Sequence, residues 1–299
     1  MHMANYRSLL YLIIGLLTVV TVGCHKTVYL MPTPAIMATG ELNPFSINPN
    51  LEESNRVDVL FATNRTLMAD DDNRNYTIFP GNKLRMGIAH FTIGSKETDW
   101  GQIFNLSTSD ENRDRPALHL EDLQELAVIP LDDETAPIPK EMQTFAAAVN
   151  DVLARSVDKD IMVYVHGANS SIYRAAAQAA QYRHFTGRNS VVLAFLWPSA
   201  ESLLAYGTDV RHAEKSAPAF TRLITLLNEY TTSKNINLRA YRAGSQIVSP
   251  GLAILGREKK GEKRRQLRLG EVYFAGADVG VDTFVEHLQT YLDIPRSVT

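Results

Sequence analysis

Ile236-Asn-Leu-Arg-Ala-Tyr-Arg-Ala-Gly-Ser-Gln-Ile-Val248 is the stretch that decides the fold. Ile236, Leu238 and Ala240 alternate as one face of a short strand, small residues make a turn, and an apolar helical run follows. This is the layout of a nucleophile elbow, G-x-S-x-G, in which a strained strand-to-helix turn lifts a serine hydroxyl above a sheet. Aligned on Gly244, the segment reads Ala240-Tyr241-Arg242-Ala243-Gly244, so Arg242 stands in the serine's place. A guanidinium stays protonated and cannot attack an acyl carbon. Ser245 is the nearest hydroxyl, but three residues on it belongs to the first helical turn, off the apex.

Upstream, Ile161–Val165 is a continuous apolar run of the kind buried on both faces of a parallel sheet. It ends in His166-Gly167-Ala168, a sharp turn whose free N–H can point at a developing oxyanion, and an alanine-rich helix over 172–185 follows. Val191–Trp197 reads as the next strand. Ser216–Tyr230 reads as a helix, with Pro218 in its first turn. After the elbow come a helical run interrupted by Pro250-Gly251, a basic loop from Arg257 to Arg268, a strand over Glu271–Ala275 and a helix over Asp282–Leu292. Helix period also marks Met142, Phe145, Val149 and Val152 from Lys140 onward. Strands are expected at Arg56, at Leu84–Ile93 and at Leu126–Pro130, with 95–119 polar and irregular between them. Asp70-Asp71-Asp72-Asn73 reads as a loop tip. Repeated alternation of strand and helix calls for an α/β fold in three layers, a mainly parallel sheet with helices on both faces.

The chain has 299 residues, 45% hydrophobic and 21% charged, enough for one large domain, placed at 56–299. A net charge of −3 gives no electrostatic case for nucleic acid. Residues 25–55, with Pro32, Pro34, Pro44 and Pro49, read as an extended tether. Residues 1–24 carry Arg7 and an apolar run from Leu9 to Val22, shorter than the ~20 residues of a membrane span and suited to a signal peptide. The run closes on Gly23-Cys24, which resembles a lipobox. Lipidation at Cys24 would place the domain in a bacterial envelope, membrane-anchored and facing the periplasm or exterior. A single cysteine excludes an internal disulfide, and the scattered histidines (90, 119, 166, 184, 212, 287) have no metal spacing, so neither metal nor cofactor is expected.

Val57-Asp-Val-Leu-Phe-Ala-Thr-Asn-Arg65, Val163-Tyr-Val-His-Gly-Ala-Asn-Ser-Ser171, Phe195-Leu-Trp-Pro-Ser199, Tyr206-Gly-Thr-Asp209 and Ala275-Gly-Ala-Asp-Val279 together resemble the DUF900 family, esterase/lipase-superfamily proteins of bacteria. The resemblance implies an α/β-hydrolase fold and ester hydrolysis by a Ser/Asp/His triad with a backbone oxyanion hole. The family's elbow runs Ala-His-Ser-Met-Gly-Asn, so Tyr241 and Arg242 both depart from it. Asp278 matches the family's acidic position after the next strand, where a helix cap or elbow support is its expected role. The resemblance implies a later Asp and His after two further strands, and the chain stops where the first of these should begin, so the sheet is expected to lack its last two strands. His287 is the one histidine after the elbow, on the last helix and expected to be exposed. The leading reading is a catalytically impaired, surface-anchored hydrolase relative that binds a small acidic or lipid ligand in the old cleft. The alternatives are an active serine esterase using Ser245 and a non-functional fragment.

Overall fold

A computed structural model describes residues 26–68, 76–110, 114–132 and 139–299. The expected signal peptide with Cys24 and the acidic tip at 70–73 lie outside these residues. Along the chain come α1 (Ala35–Ala38), β1 (Arg56–Leu67), β2 (Tyr76–Ile93), α2 (Trp100–Thr108), β3 (Leu118–Pro130) and α3 (Glu141–Arg155). They are followed by β4 (Ile161–Val165), α4 (Ile172–Phe185), β5 (Val191–Phe195), α5 (Tyr206–Tyr230) and β6 (Ile236–Tyr241). A single 3-10 turn at Arg242–Gly244 leads into α6 (Ser245–Glu258), then α7 (Gly261–Arg265), β7 (Leu269–Ala275), α8 (Val281–Tyr291) and β8 (Ser297–Val298).

The eight strands form one sheet in the order β3-β2-β1-β5-β4-β6-β7-β8. From β1 across to β8 every pairing is parallel, while β2 and β3 extend the sheet as antiparallel strands. Alternation sorts the side chains into two cores. Leu60, Val163, Val165, Phe195, Leu238 and Ala240 pack beneath α3, α5 and α6. Val59, Phe61, Tyr164, Val192 and Ala194 pack against the alanines of α4 on the other face. These are the three layers expected. Two missing strands were expected after β7, but Ser297–Val298 pair in parallel with Glu271–Val272 as β8.

Several expectations are corrected. Residues 26–55 are not a free tether: Leu30, Met37 and Phe45 are buried, and Phe45 packs on Trp100, Phe104 and His184. The prolines shape a docked, irregular segment here. The stretch 95–119 holds α2, whose Asp99 accepts from the Gln102 N–H in a reciprocal capping box. α5 begins ten residues before its expected start, so Pro218 lies mid-helix. α6 runs unbroken through Pro250, with Gly251 seated against Phe220 and its carbonyl accepting from the Thr221 hydroxyl at 2.8 Å. The basic stretch is not a solvated loop throughout. Arg264 pairs with Asp293 and reaches the Thr290 carbonyl, and Arg268 caps the end of α5 through the carbonyls of Asn228 and Thr231. Among the described residues no helix is long and apolar enough to cross a membrane.

Gly187 pins the docked segment. Its φ is +71°, and a β-carbon there would stand 2.1 Å from the Pro44 carbonyl oxygen. Gly187→Ala should therefore lower stability by about 1–3 kcal/mol, and should raise proteolysis at 43–50 more than elsewhere. Urea denaturation with limited proteolysis checks this; an unchanged midpoint would mean the segment is not held as described.

Candidate functional site

The elbow forms where β6 ends, at the carboxyl edge of the parallel strands, where such sheets place their sites. Ile236, Leu238 and Ala240 are buried while Asn237, Arg239 and Tyr241 are only partly covered, as the alternation required. Arg242 takes the apex with φ +47°, a left-handed backbone that costs a side-chain-bearing residue roughly 1–3 kcal/mol. The conformation is imposed by its neighbours. A β-carbon at Gly244 would lie 2.5 Å from the Val165 carbonyl oxygen and 2.9 Å from that of His166, so the turn can seat on β4 only through glycine. On the other side a β-carbon at Gly167 would come within 3.4 Å of both Tyr241 and Arg242. The elbow and the His166-Gly167 turn thus touch, as a nucleophile and its oxyanion hole would.

Arg242 is exposed, its guanidinium carbon 5.4 Å from the centre of the Tyr241 ring, and it makes no ion pair among the described residues. Ser245 is fully buried, and its hydroxyl is engaged in both directions: it donates to the Arg242 carbonyl at 2.7 Å and accepts from the Asp278 N–H at 2.9 Å. That makes it a strut beneath the turn. Asp278 supports the elbow as expected and does not cap α8; its carboxylate accepts from the Tyr206 hydroxyl. This bond, more than partial burial, holds the Tyr206 phenol above its ordinary pKa. Gln246 closes the group by donating to Tyr206 at 3.1 Å and to the Asp278 carbonyl at 2.7 Å.

His287 is half-covered and lines an open cleft of about 690 Å³ together with Gln246, Pro250, Ala277, Asp278 and Val279. It pairs with Ser249 at 3.0 Å and not with the elbow. Ser249 is a hydroxyl within reach of an imidazole, but it is fully buried on α6 and closed to a substrate. His166 is no base either. Its ring lies stacked on Trp197, 5.1 Å between centres, with Nδ1 against the Gly167 carbonyl at 2.8 Å and Nε2 buried without a partner. Burial first, then the nearby Arg65 charge, pulls its pKa down to about 3, so it is neutral. Ala168 packs against the core below the turn.

Two residues escaped the sequence reading. Asp209 is 1% exposed at the start of α5. Its carboxylate accepts from the Asn169 N–H at 3.0 Å, the Ser199 hydroxyl at 3.1 Å and the Ala200 N–H at 2.5 Å. Arg65, fully buried at the end of β1, donates to the carbonyls of Trp197, Thr77 and Ser170 and pairs with Glu201 at 3.5 Å. Together they tie the loops after β1, β4 and β5 into one rim. Each closes a motif quoted above, Val57–Arg65 and Tyr206–Asp209, and that position at a strand or helix end was the available signal. Among the described residues no cluster of His, Cys, Asp and Glu could hold a metal ion.

Asp209→Asn should cost about 2–3 kcal/mol by weakening three buried hydrogen bonds, measured by urea denaturation; a loss below half that would show the rim is held otherwise. His184, like His166, is driven to about 3, by burial and then by Arg188. Unfolding lets both take protons near pH 6.5, so stability is full above that value and falls as pH drops toward 3. Near pH 5 each site should have withdrawn about 2 kcal/mol. Equal stability at pH 7.5 and pH 5 would contradict this.

A family model described as an alpha/beta hydrolase of unknown function, DUF900, matches residues 141–299. The match takes in the β4 turn, the elbow, the cleft and β8, and leaves out the antiparallel strands. No curated protein and no solved structure matches the sequence. With the elbow, the adjoining turn and the sheet order in place, and with more than half of the 299 residues inside the match, the chain belongs to the DUF900 family of alpha/beta hydrolases.

Proposed function

We propose that this chain is a catalytically impaired hydrolase relative that binds a carboxylate ligand with an apolar tail, such as a fatty acid, at the elbow. The observation that carries the reading is Arg242 itself: an exposed guanidinium on the strained apex, without an ion pair among the described residues. The apex opens the N-terminal end of α6, where the backbone N–H groups favour negative charge, so two positive features converge on one place. A guanidinium accepts a carboxylate through paired hydrogen bonds. Gln246, one helical turn further, lines the cleft, and Val210, Pro250, Ala277 and Val279 offer an apolar wall for a tail. Hydrolysis lacks support because Ser245 is engaged on both sides and His287 is bound to Ser249. In this reading lipidation at Cys24 anchors the domain at a bacterial envelope.

A fluorophosphonate probe should leave both Ser245 and Ser249 unlabelled, and labelling of either by mass spectrometry would restore the esterase reading. Fatty-acid binding, followed by titration calorimetry, should weaken about tenfold or more in Arg242→Ala. Equal affinity in the variant would sink the proposal.

A further inference from the structure

A second cavity, of about 250 Å³, lies at the opposite end of the sheet from the elbow. It forms where the first residues of β1 meet the last turns of α3 and α4, and residues 48–52 of the docked segment close one wall. Four arginines line it, Arg56, Arg155, Arg183 and Arg188. Two of its three carboxylates are already engaged, Asp151 with Arg155 at 2.6 Å and Asp58 with His90 at 2.9 Å. Glu52 is exposed at the rim.

Arg183 and Arg188 are the unusual pair. Arg188 is 8% exposed and Arg183 is largely covered, yet neither makes an ion pair among the described residues. Arginines at the end of a helix often cap its last carbonyls. These do not: Arg183 donates to the Asp58 carbonyl on β1, and Arg188 to the Glu52 carbonyl at 2.9 Å and to the His184 ring. Arg183 thus reaches across to β1, while Arg188 divides its donors between the docked segment and His184 on α4 and lies 4.6 Å from the centre of the Trp100 ring. Burial lowers both guanidinium pKa values, and the charge of Arg183 helps bring Arg188 down to about 10. The charges of Asp58 and Glu52 offset theirs in part without ion-pair contact, and four arginines against three carboxylates leave the lining an excess of positive charge that a further anion would balance.

We propose that this cavity is a binding site for a phosphate group, inorganic or at the end of a small phosphomonoester, with Arg183 and Arg188 as its principal ligands. Two guanidinium forks match the charge and tetrahedral oxygens of phosphate better than they match one carboxylate. The volume leaves room for a phosphate and a short stem only. The site is independent of the elbow, since it shares no residue with it. It also has a mechanical consequence. Arg188 holds the Glu52 carbonyl, Asn48 donates to the Gly187 carbonyl at 3.0 Å and Asn50 to the Arg155 carbonyl at 2.8 Å, so an occupant would fasten the docked segment to α3 and α4.

The test is calorimetric titration of the Arg242→Ala protein with inorganic phosphate and with glycerol phosphate, a background in which the elbow arginine is gone. Binding should persist there and weaken about tenfold or more when Arg183→Gln is added. The melting temperature should rise with phosphate and not with chloride at equal ionic strength. If the double variant does not fold, the wild-type protein still decides: phosphate should shield Arg183 and Arg188 from phenylglyoxal, read by peptide mass mapping. Vesicles of phosphatidic acid in phosphatidylcholine separate the sources. Sedimentation that depends on Arg183 without any response to free phosphate assigns the same site to a lipid headgroup, and a response to free phosphate assigns it to a soluble ligand. No binding of any of these, phenylglyoxal labelling unchanged by phosphate and by the vesicles alike, or equal binding with and without Arg183→Gln overturns the proposal.

Discussion

The carbonyl of Val165 leaves no room for a β-carbon at position 244, and that contact sets the geometry of the whole carboxyl edge. Because the turn must lie flat on the end of β4, the chain leaving β6 has to reverse direction within three residues. The residue before the pair Ala243-Gly244 is thereby forced into left-handed backbone. The Ser245 hydroxyl then bridges the turn to the start of the segment after β7, which fixes Asp278, Tyr206 and Gln246 in sequence around it. An ordered edge therefore survives a change of residue at its apex. Strain at such a site is held by its surroundings and does not depend on the identity of the side chain that bears it.

The rim around the elbow is held by buried charge as much as by apolar packing. Asp209 and Arg65 each gather groups from loops far apart in sequence, and their partners are mostly backbone N–H and carbonyl groups. Backbone groups at strand ends would otherwise be buried without partners, which costs more than the charges do when they are satisfied. At the far end of the sheet Arg183 and Arg188 likewise satisfy carbonyls, but no carboxylate among the described residues is in ion-pair contact with them.

Elements whose signal is local were readable from the sequence. Ile161–Val165 and the helix 172–185 are bounded as expected, because a continuous apolar run and an alanine-rich repeat each report burial directly. The elbow was legible for the same reason, down to the arginine at its apex. What escaped depends on partners distant in sequence. The first ten residues of α5 are mostly polar and carry no apolar stripe; they are helical because Asp209 and His212 find buried partners across the rim. The segment 26–55 looks like a linker by composition, yet three widely spaced apolar residues, Leu30, Met37 and Phe45, suffice to dock it. α2 hides in a polar stretch, announced only by Asp99 and Gln102. The engagement of Ser245 was invisible as well, since its acceptor and donor lie on opposite sides of it in the fold.

The left-handed backbone at Arg242 has a consequence for any other residue placed there. A hydroxyl placed there would inherit an apex already shaped to present it beside the Gly167 turn. Among the described histidines near it, His212 is committed to the Pro198 carbonyl at 2.8 Å and His287 to Ser249, while His166 holds the Gly167 carbonyl through Nδ1 and keeps Nε2 buried without a partner. The shape of that turn rests on Gly244 and the end of β4, so it is set apart from whatever chemistry its apex residue carries.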